Sequence, residues 1–280
     1  MLLTLLISMI LLSRGKADFT LKIYRELLCT LRDRGYKFLT FEQYCELKNL
    51  DQTSSLPEKL IILRHDVDLK AGNSLQIAKI EHELGVQASY YFRVVPQSNK
   101  PEIIRAIADL GHEIGYHYED MAMANGNVNQ AMSHFQNQLA YFRQFYPVRT
   151  ICMHGAPTSK WDGRDLWKCS DYRTLDVIGE PYFDVDFSQV FYLTDTGRCW
   201  DGYKVSVRDK IPMYQDQWTE QGLVYHNTKN IIEAVEESTL PPRVMMTTHP
   251  QRWTDNPMLW AKELVLQSVK NMVKRMFFVK

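Results

Sequence analysis

An α/β fold built on a parallel sheet is what the 280 residues predict, and two observations carry it. Segments with helical spacing alternate with short apolar or β-branched runs along most of the chain. One such run, "KLIILRH" at 59–65, is continuously apolar before its end, as in strands that a parallel sheet buries on both faces. Such an alternation forms either a barrel or a doubly wound sheet, and in both the ligands gather at the carboxyl ends of the strands.

In chain order, "FTLKIYRELLCTLRDRG" (19–35) has helical spacing and stops at Gly35, and "YKFLTF" (36–41) follows as a short strand. After the apolar run, "NSLQIAKIEHELG" (73–85) opens on cap-type residues and ends at Gly85. "QASYYFRVV" (87–95) is aromatic and β-branched, hence a strand. "PEIIRAIADLG" (101–111) is a helix framed by Pro and Gly, and "HEIGYH" (112–117) is the next strand. A helix (128–146) and the strand "RTICMH" (149–154) come next, then a stretch, 156–228, whose weak period predicts loops and short strands. "NIIEAVEES" (230–238), "RVMMTTH" (243–249) and a C-terminal helix started by Asn256 and Pro257 restore the rhythm.

Thirty-three basic and 33 acidic residues cancel, which argues against a surface made to hold nucleic acid. The cysteines, Cys29, Cys45, Cys152, Cys169 and Cys199, are odd in number and irregularly spaced, so reduced thiols in a cytoplasmic protein are expected and a structural zinc knot is not. The N-terminal "MLLTLLISMILLSRGKADF" has too few apolar residues for a span of roughly 20 and lacks the marks of a secretory signal. A docked helix is expected there, with peripheral membrane association through residues 1–14 as the alternative. The basic cluster Lys270, Lys274 and Arg275 of the last helix reads as a solvated face. No repeat or linker divides the chain, so one domain is expected, with residues 1–59 packed on a core of residues 60–280.

Four of the eight histidines close predicted strands: His65 in "RHDVD", His117 in "GYHYED", His154 in "MHG" and His249 in "TTHP". His112 opens a strand and is read as structural, while His82 and His134 lie on helices facing solvent and His226 has no motif. Imidazoles and carboxylates delivered to one end of a sheet suit a catalytic divalent ion, Zn²⁺ above all, with an acid and a base beside it.

These motifs resemble the polysaccharide deacetylase superfamily, the NodB-homology carbohydrate esterases, over most of residues 60–250. The resemblance implies a distorted (β/α) barrel of about seven strands. "RHDVD" resembles the first motif, which implies Asp66 as base and Asp68 as metal ligand. "GHEIGYHYEDM" resembles the second and implies His117 as ligand, but Met121 stands where a second histidine is usual. "MHGAP" occupies the place of the third motif without its arginine; His154 is taken as the third ligand, with Glu119 as competitor or substrate contact. "TDTGRCWDG" offers Asp195 and Trp200 for the acetyl pocket of the fourth, and "VMMTTHP" resembles the fifth, implying His249 as general acid. His65 is left as a substrate contact or an orienting group.

The resemblance thus implies a zinc-type, metal-dependent hydrolase that removes acetyl from an N-acetylated sugar, a surface-polysaccharide precursor being the expected substrate. A backbone N–H near Gly155 or Ala156 would meet the oxyanion. The alternatives are an amidohydrolase acting on a small non-sugar amide and a carbohydrate-binding homologue without catalysis, the latter motivated by Met121 and the missing arginine.

Overall fold

The computed structural model describes residues 17–49 and 56–277. The expected helix at residues 1–14 therefore lies outside the described residues. Strands β1 (Lys37–Leu39), β2 (Leu60–Val67), β3 (Ser89–Phe92), β4 (Glu113–Tyr118), β5 (Ile151–Met153), β6 (Phe191–Thr194) and β7 (Arg243–Thr248) form one sheet. Every pair is parallel, in the order β5-β4-β3-β2-β7-β6, with β1 off that path beside β2. β5 and β6 end the path, so the sheet is a distorted, incomplete (β/α) barrel rather than a closed one.

β2 is the axis of this sheet. Leu60–Ile62 pair with β1, Arg64–Val67 pair with β3, and the opposite edge runs along β7. Its apolar start, Leu60 to Leu63, is fully buried. Burying four such side chains contributes roughly 6–12 kcal/mol before the entropy of ordering is subtracted. The continuous apolar pattern therefore has the cause expected of it, burial on both faces.

The helices α1 (Leu21–Asp33), α2 (Phe41–Asn49), α3 (Ala71–Glu83), α4 (Pro101–Asp109), α5 (Asp120–Met123), α6 (Val128–Phe142), α7 (Pro181–Asp184), α8 (Pro212–Glu220), α9 (Thr228–Glu236) and α10 (Pro257–Phe277) complete the chain. α1 is capped by Thr20 Oγ1, which accepts from Ile23 N, and it ends before Gly35 at φ +86°. α3 starts two residues before its expected cap. Lys70 turns the chain through the left-handed region (φ 53°), and Asn73 Nδ2 donates to the carbonyls of Pro250 (3.3 Å) and Trp253 (3.1 Å). That contact fastens α3 to the 3₁₀ turn Pro250–Arg252 that follows β7.

The stretch 156–228 holds β6, three 3₁₀ turns and the helices α7 and α8, so it is less strand-like than its composition suggested. At the C-terminus, Asn256 Oδ1 accepts from the amides of Met258 and Leu259 and starts α10 as expected. Of the basic cluster in the last helix, Lys270 and Arg275 are exposed and Lys274 is half-buried, and the two lysines also line the rim of a cleft over the sheet. The five cysteines are all free, and no helix among the described residues is long and apolar enough to cross a membrane.

Candidate active site

At the carboxyl ends of β2, β4, β5 and β7 lies a cleft of about 470 Å³, lined by Asp66, Asp68, His117, His154 and His249 among others. Side chains alternate along a strand, so Arg64 and Asp66 share one face of β2, and Asp68 follows just past its end. His65 necessarily points the other way.

Asp68 Oδ1 is buried and has no hydrogen-bond partner among the described residues. His117 Nε2 and His154 Nε2 each stand 3.5 Å from it. His117 Nδ1 lies 2.9 Å from the carbonyl of Cys152, which requires Nδ1–H, and His154 Nδ1 lies 2.8 Å from the Glu119 carboxylate, which requires the same. The neutral tautomers therefore present two Nε2 lone pairs to a carboxylate oxygen. Acceptors facing an acceptor in a buried place need a proton or a metal cation between them, and 3.5 Å suits ligand atoms that each lie about 2.0–2.2 Å from one Zn²⁺. These residues fit a divalent metal. Where protons rather than an ion fill these gaps, the charged imidazoles of His154, His117 and His249 hold the Asp68 carboxyl well below its usual range against the penalty of burial, and Asp66 and Asp68 raise His117 in return.

Asp66, His117 and Cys152 also bring ligand atoms within 4.8 Å of one another. Burial pushes the Cys152 thiol well up, so the thiolate that ligates would form only with an ion in place. Its Sγ lies 4.0 Å from Asp66 Oδ1. The Asp68-centred arrangement is the better match because its nitrogens are committed to that oxygen.

Asp66 faces the cleft beside this group, with Oδ2 3.8 Å from His117 Nε2. Arg64 Nη2 donates to the same oxygen at 3.2 Å, and this guanidinium is fully buried, with Nε and Nη1 lacking a hydrogen-bond partner among the described residues. On the far side, His249 Nε2 lies 3.9 Å from Asp68 Oδ2. Its Nδ1–H donates to Asp195 Oδ1 at 2.6 Å, and Arg252 Nη1 converges on that oxygen at 2.6 Å. Asp195 Oδ2 accepts from Trp253 Nε1 (2.7 Å) and from the amide of His249 (3.0 Å). Burial opposes charge on Asp195, but Arg252 and His249 outweigh it and hold the carboxyl below its ordinary value.

Three expected substrate contacts are corrected by these positions. His65 is fully buried between Thr248 Oγ1 (2.6 Å) and Glu81 Oε1 (2.7 Å), on the helix-facing side of β2, and does not reach the cleft. Glu81 also accepts from Tyr24 and Tyr90, both at 2.5 Å, so His65 belongs to a core network. Trp200 stacks on Phe19 and donates from Nε1 to Thr228 at 2.9 Å, away from the cleft. Asp195 holds His249 and is too enclosed to touch a ligand.

Glu119 is corrected as well. Its Oε1 is taken by Arg93 (2.5 and 2.9 Å) and its Oε2 by His154, so it is neither a free ligand nor a substrate contact. Against the penalty of burial, those bonds bring its pKa to about 2. His112 is structural, as expected, and His82 and His226 are exposed. His134 is not simply solvent-facing, because its Nδ1 bonds to buried Asp120.

Sequence reasoning missed Arg64, Arg252 and Asp209. Arg64 had a signal, since the two-residue period of β2 puts it on the face of Asp66. Arg252 follows His249 by one 3₁₀ turn. Asp209 had none: it reaches the cleft from a loop, where Tyr192, Thr194 and Thr196 donate to it, and these bonds with the charges of His249 and Arg64 overcome burial and bring it to about 2.

No family model and no curated protein matches the sequence. Among solved structures, the chain is similar to a CE4 family pseudoenzyme from Bacillus anthracis, at 12% identity and a TM-score of 0.43 over 77% of this chain and 61% of that one. It is similar to PdaA, a family 4 carbohydrate esterase of Bacillus subtilis (13% identity, TM-score 0.41, 80% and 84% of the two chains). It is also similar to the peptidoglycan deacetylase PdaC of Bacillus subtilis (12%, TM-score 0.37, 79% and 100%). The chain spans less than two thirds of the length of the Bacillus anthracis protein.

Proposed function

We propose that this chain is a metal-dependent hydrolase that removes the acetyl group from an N-acetylated sugar, a surface-polysaccharide precursor being the substrate class. The observation that carries the reading is the buried, unpartnered Asp68 Oδ1 faced at 3.5 Å by the Nε2 atoms of His117 and His154. The sugar comes from the resemblance of the motifs, not from the geometry.

Asp68, His117 and His154 would hold the ion, which when bound supplies Lewis acidity toward a carbonyl and makes water a better nucleophile near neutral pH. Cys152 O and Glu119 fix the two imidazoles in the tautomer that presents Nε2. Asp66 takes the proton of the attacking water at Oδ2, the oxygen that Arg64 orients. His249, with Nδ1–H held by Asp195, gives a proton from Nε2 to the departing nitrogen. Backbone N–H groups at Gly155 or Ala156 would meet the oxyanion, and Arg208 steadies that loop by donating to the carbonyls of both residues at 2.8 Å.

The test is acetate release from N-acetylhexosamine oligomers and nucleotide-linked sugars by protein loaded with Zn²⁺, Co²⁺ or Ni²⁺. Asp68→Asn should lose bound metal by elemental analysis, while Asp66→Asn should keep the metal and lose turnover. Protein that takes up no metal and is silent on every such donor would refute the reading.

A further inference from the structure

Helix α10 carries its apolar side outward. The face turned to the body is polar apart from Trp260, whose Nε1 donates to Asp18 O at 2.7 Å: Glu263 and Gln267 are buried, and Asn271 Nδ2 donates to Gly197 O at 2.7 Å. On a helix of 3.6 residues per turn, Met258, Val265, Met272 and Met276 fall within about 40° of one another, on the side away from Gln267. Their exposures are 82%, 51%, 57% and 66%; Leu259 and Leu266 widen the strip, and Val269 and Val273 carry it to the edge of the cleft, which they line. A contiguous apolar strip of this kind on a protein surface marks a contact.

Charge identifies the occupant. Lys262 lies within the strip, and Lys270 and Arg275 flank it, all exposed. The helix has one carboxylate, Glu263, and it is turned inward to Lys70 at 2.9 Å. Packing this helix on the same helix of a second copy would set cations against cations with no outward carboxylate of the helix to meet them. Anionic headgroups supply the missing charge while acyl chains receive the methionines and valines.

We propose that α10 is an interfacial helix that docks this face of the protein on an anionic lipid bilayer, lying in its surface. The inference is independent of the hydrolase reading. It differs from attachment through residues 1–14, which the variants below leave intact.

The experiment is co-flotation of the full chain with phosphatidylglycerol–phosphatidylcholine vesicles, with pure phosphatidylcholine as control. Binding to the anionic vesicles that weakens with salt is expected. The pair Val265→Glu and Met272→Glu, at exposed positions outside the cleft, should abolish it while leaving the melting temperature unchanged. Because each cation near an anionic surface strengthens partition roughly fivefold, Lys262→Gln with Arg275→Gln should weaken binding about 25-fold. Equal binding by wild type and the Val265/Met272 variant overturns the proposal. So does a wild-type dimer that ignores both vesicles and becomes monomeric in that variant, which would make the strip an interface between copies of the chain.

Discussion

Asp195→Asn isolates the pair that steers His249. The carboxylate meets donors that cannot reverse: Arg252 Nη1 on Oδ1, and Trp253 Nε1 with the His249 amide on Oδ2. Whichever way the asparagine amide is turned, its NH₂ opposes one of them, and the negative charge facing Arg252 is gone. Breaking a buried charge pair by removing one partner costs about 3–5 kcal/mol of stability. The charge-assisted bond to His249 Nδ1, 2.6 Å in the native protein, should be worth about 1.5–3 kcal/mol when the imidazolium forms. At about 1.36 kcal/mol per tenfold, kcat should fall about 10- to 150-fold. The assay is acetate release by metal-loaded enzyme at a temperature where circular dichroism shows the variant folded, with His249→Ala beside it. A folded Asp195→Asn enzyme with native kcat would refute both the role of His249 and that of its carboxylate partner.

Two further outcomes follow from packing and burial. A Cβ at Gly115 would stand 2.3 Å from the Tyr91 ring, and that ring is fully buried and tied by its hydroxyl to Thr150, so Gly115→Ala should cost roughly 1–3 kcal/mol in a urea titration. An unchanged midpoint would mean that β3 and β4 move apart freely. Glu180 is buried, and desolvation raises it to about 7 although Met153 N and Tyr182 N donate to it. A raised carboxyl contributes stability that is complete below its unfolded value near 4.5 and is lost as pH rises through the folded one. Glu180→Gln should remove up to about 3 kcal/mol of decline between pH 4.5 and 7, whatever constant offset the amide adds. Parallel stability–pH curves for the two proteins would contradict this.

The α/β class and most strands were legible because both depend on short-range pattern: β2 and β7 read as apolar runs, and α4 is bracketed by Pro101 and Gly111. Asp66, Asp68, His117, His154 and His249 were legible because a parallel sheet brings successive strand ends together whatever lies between them. What failed was local direction. His65 carries the same sequence signal as its neighbours, although alternation turns it to Glu81 and α3. The partners of the site failed for another reason. Arg252 and Asp209 reach it through turns with no periodic signal, and Glu119 is saturated by Arg93 from β3's end, a pairing visible only in three dimensions.

The residues around the cleft come from positions as far apart as Asp66 and His249. Among the described residues parallel pairing leaves no hairpin that could assemble even part of the site early, so its formation waits on the slowest, most non-local contacts of the fold. Site assembly and global folding are then one event. A ligand that joins β2 to the ends of β4 and β5 would act as a cross-brace on the native state, raising the melting temperature in proportion to the logarithm of its concentration.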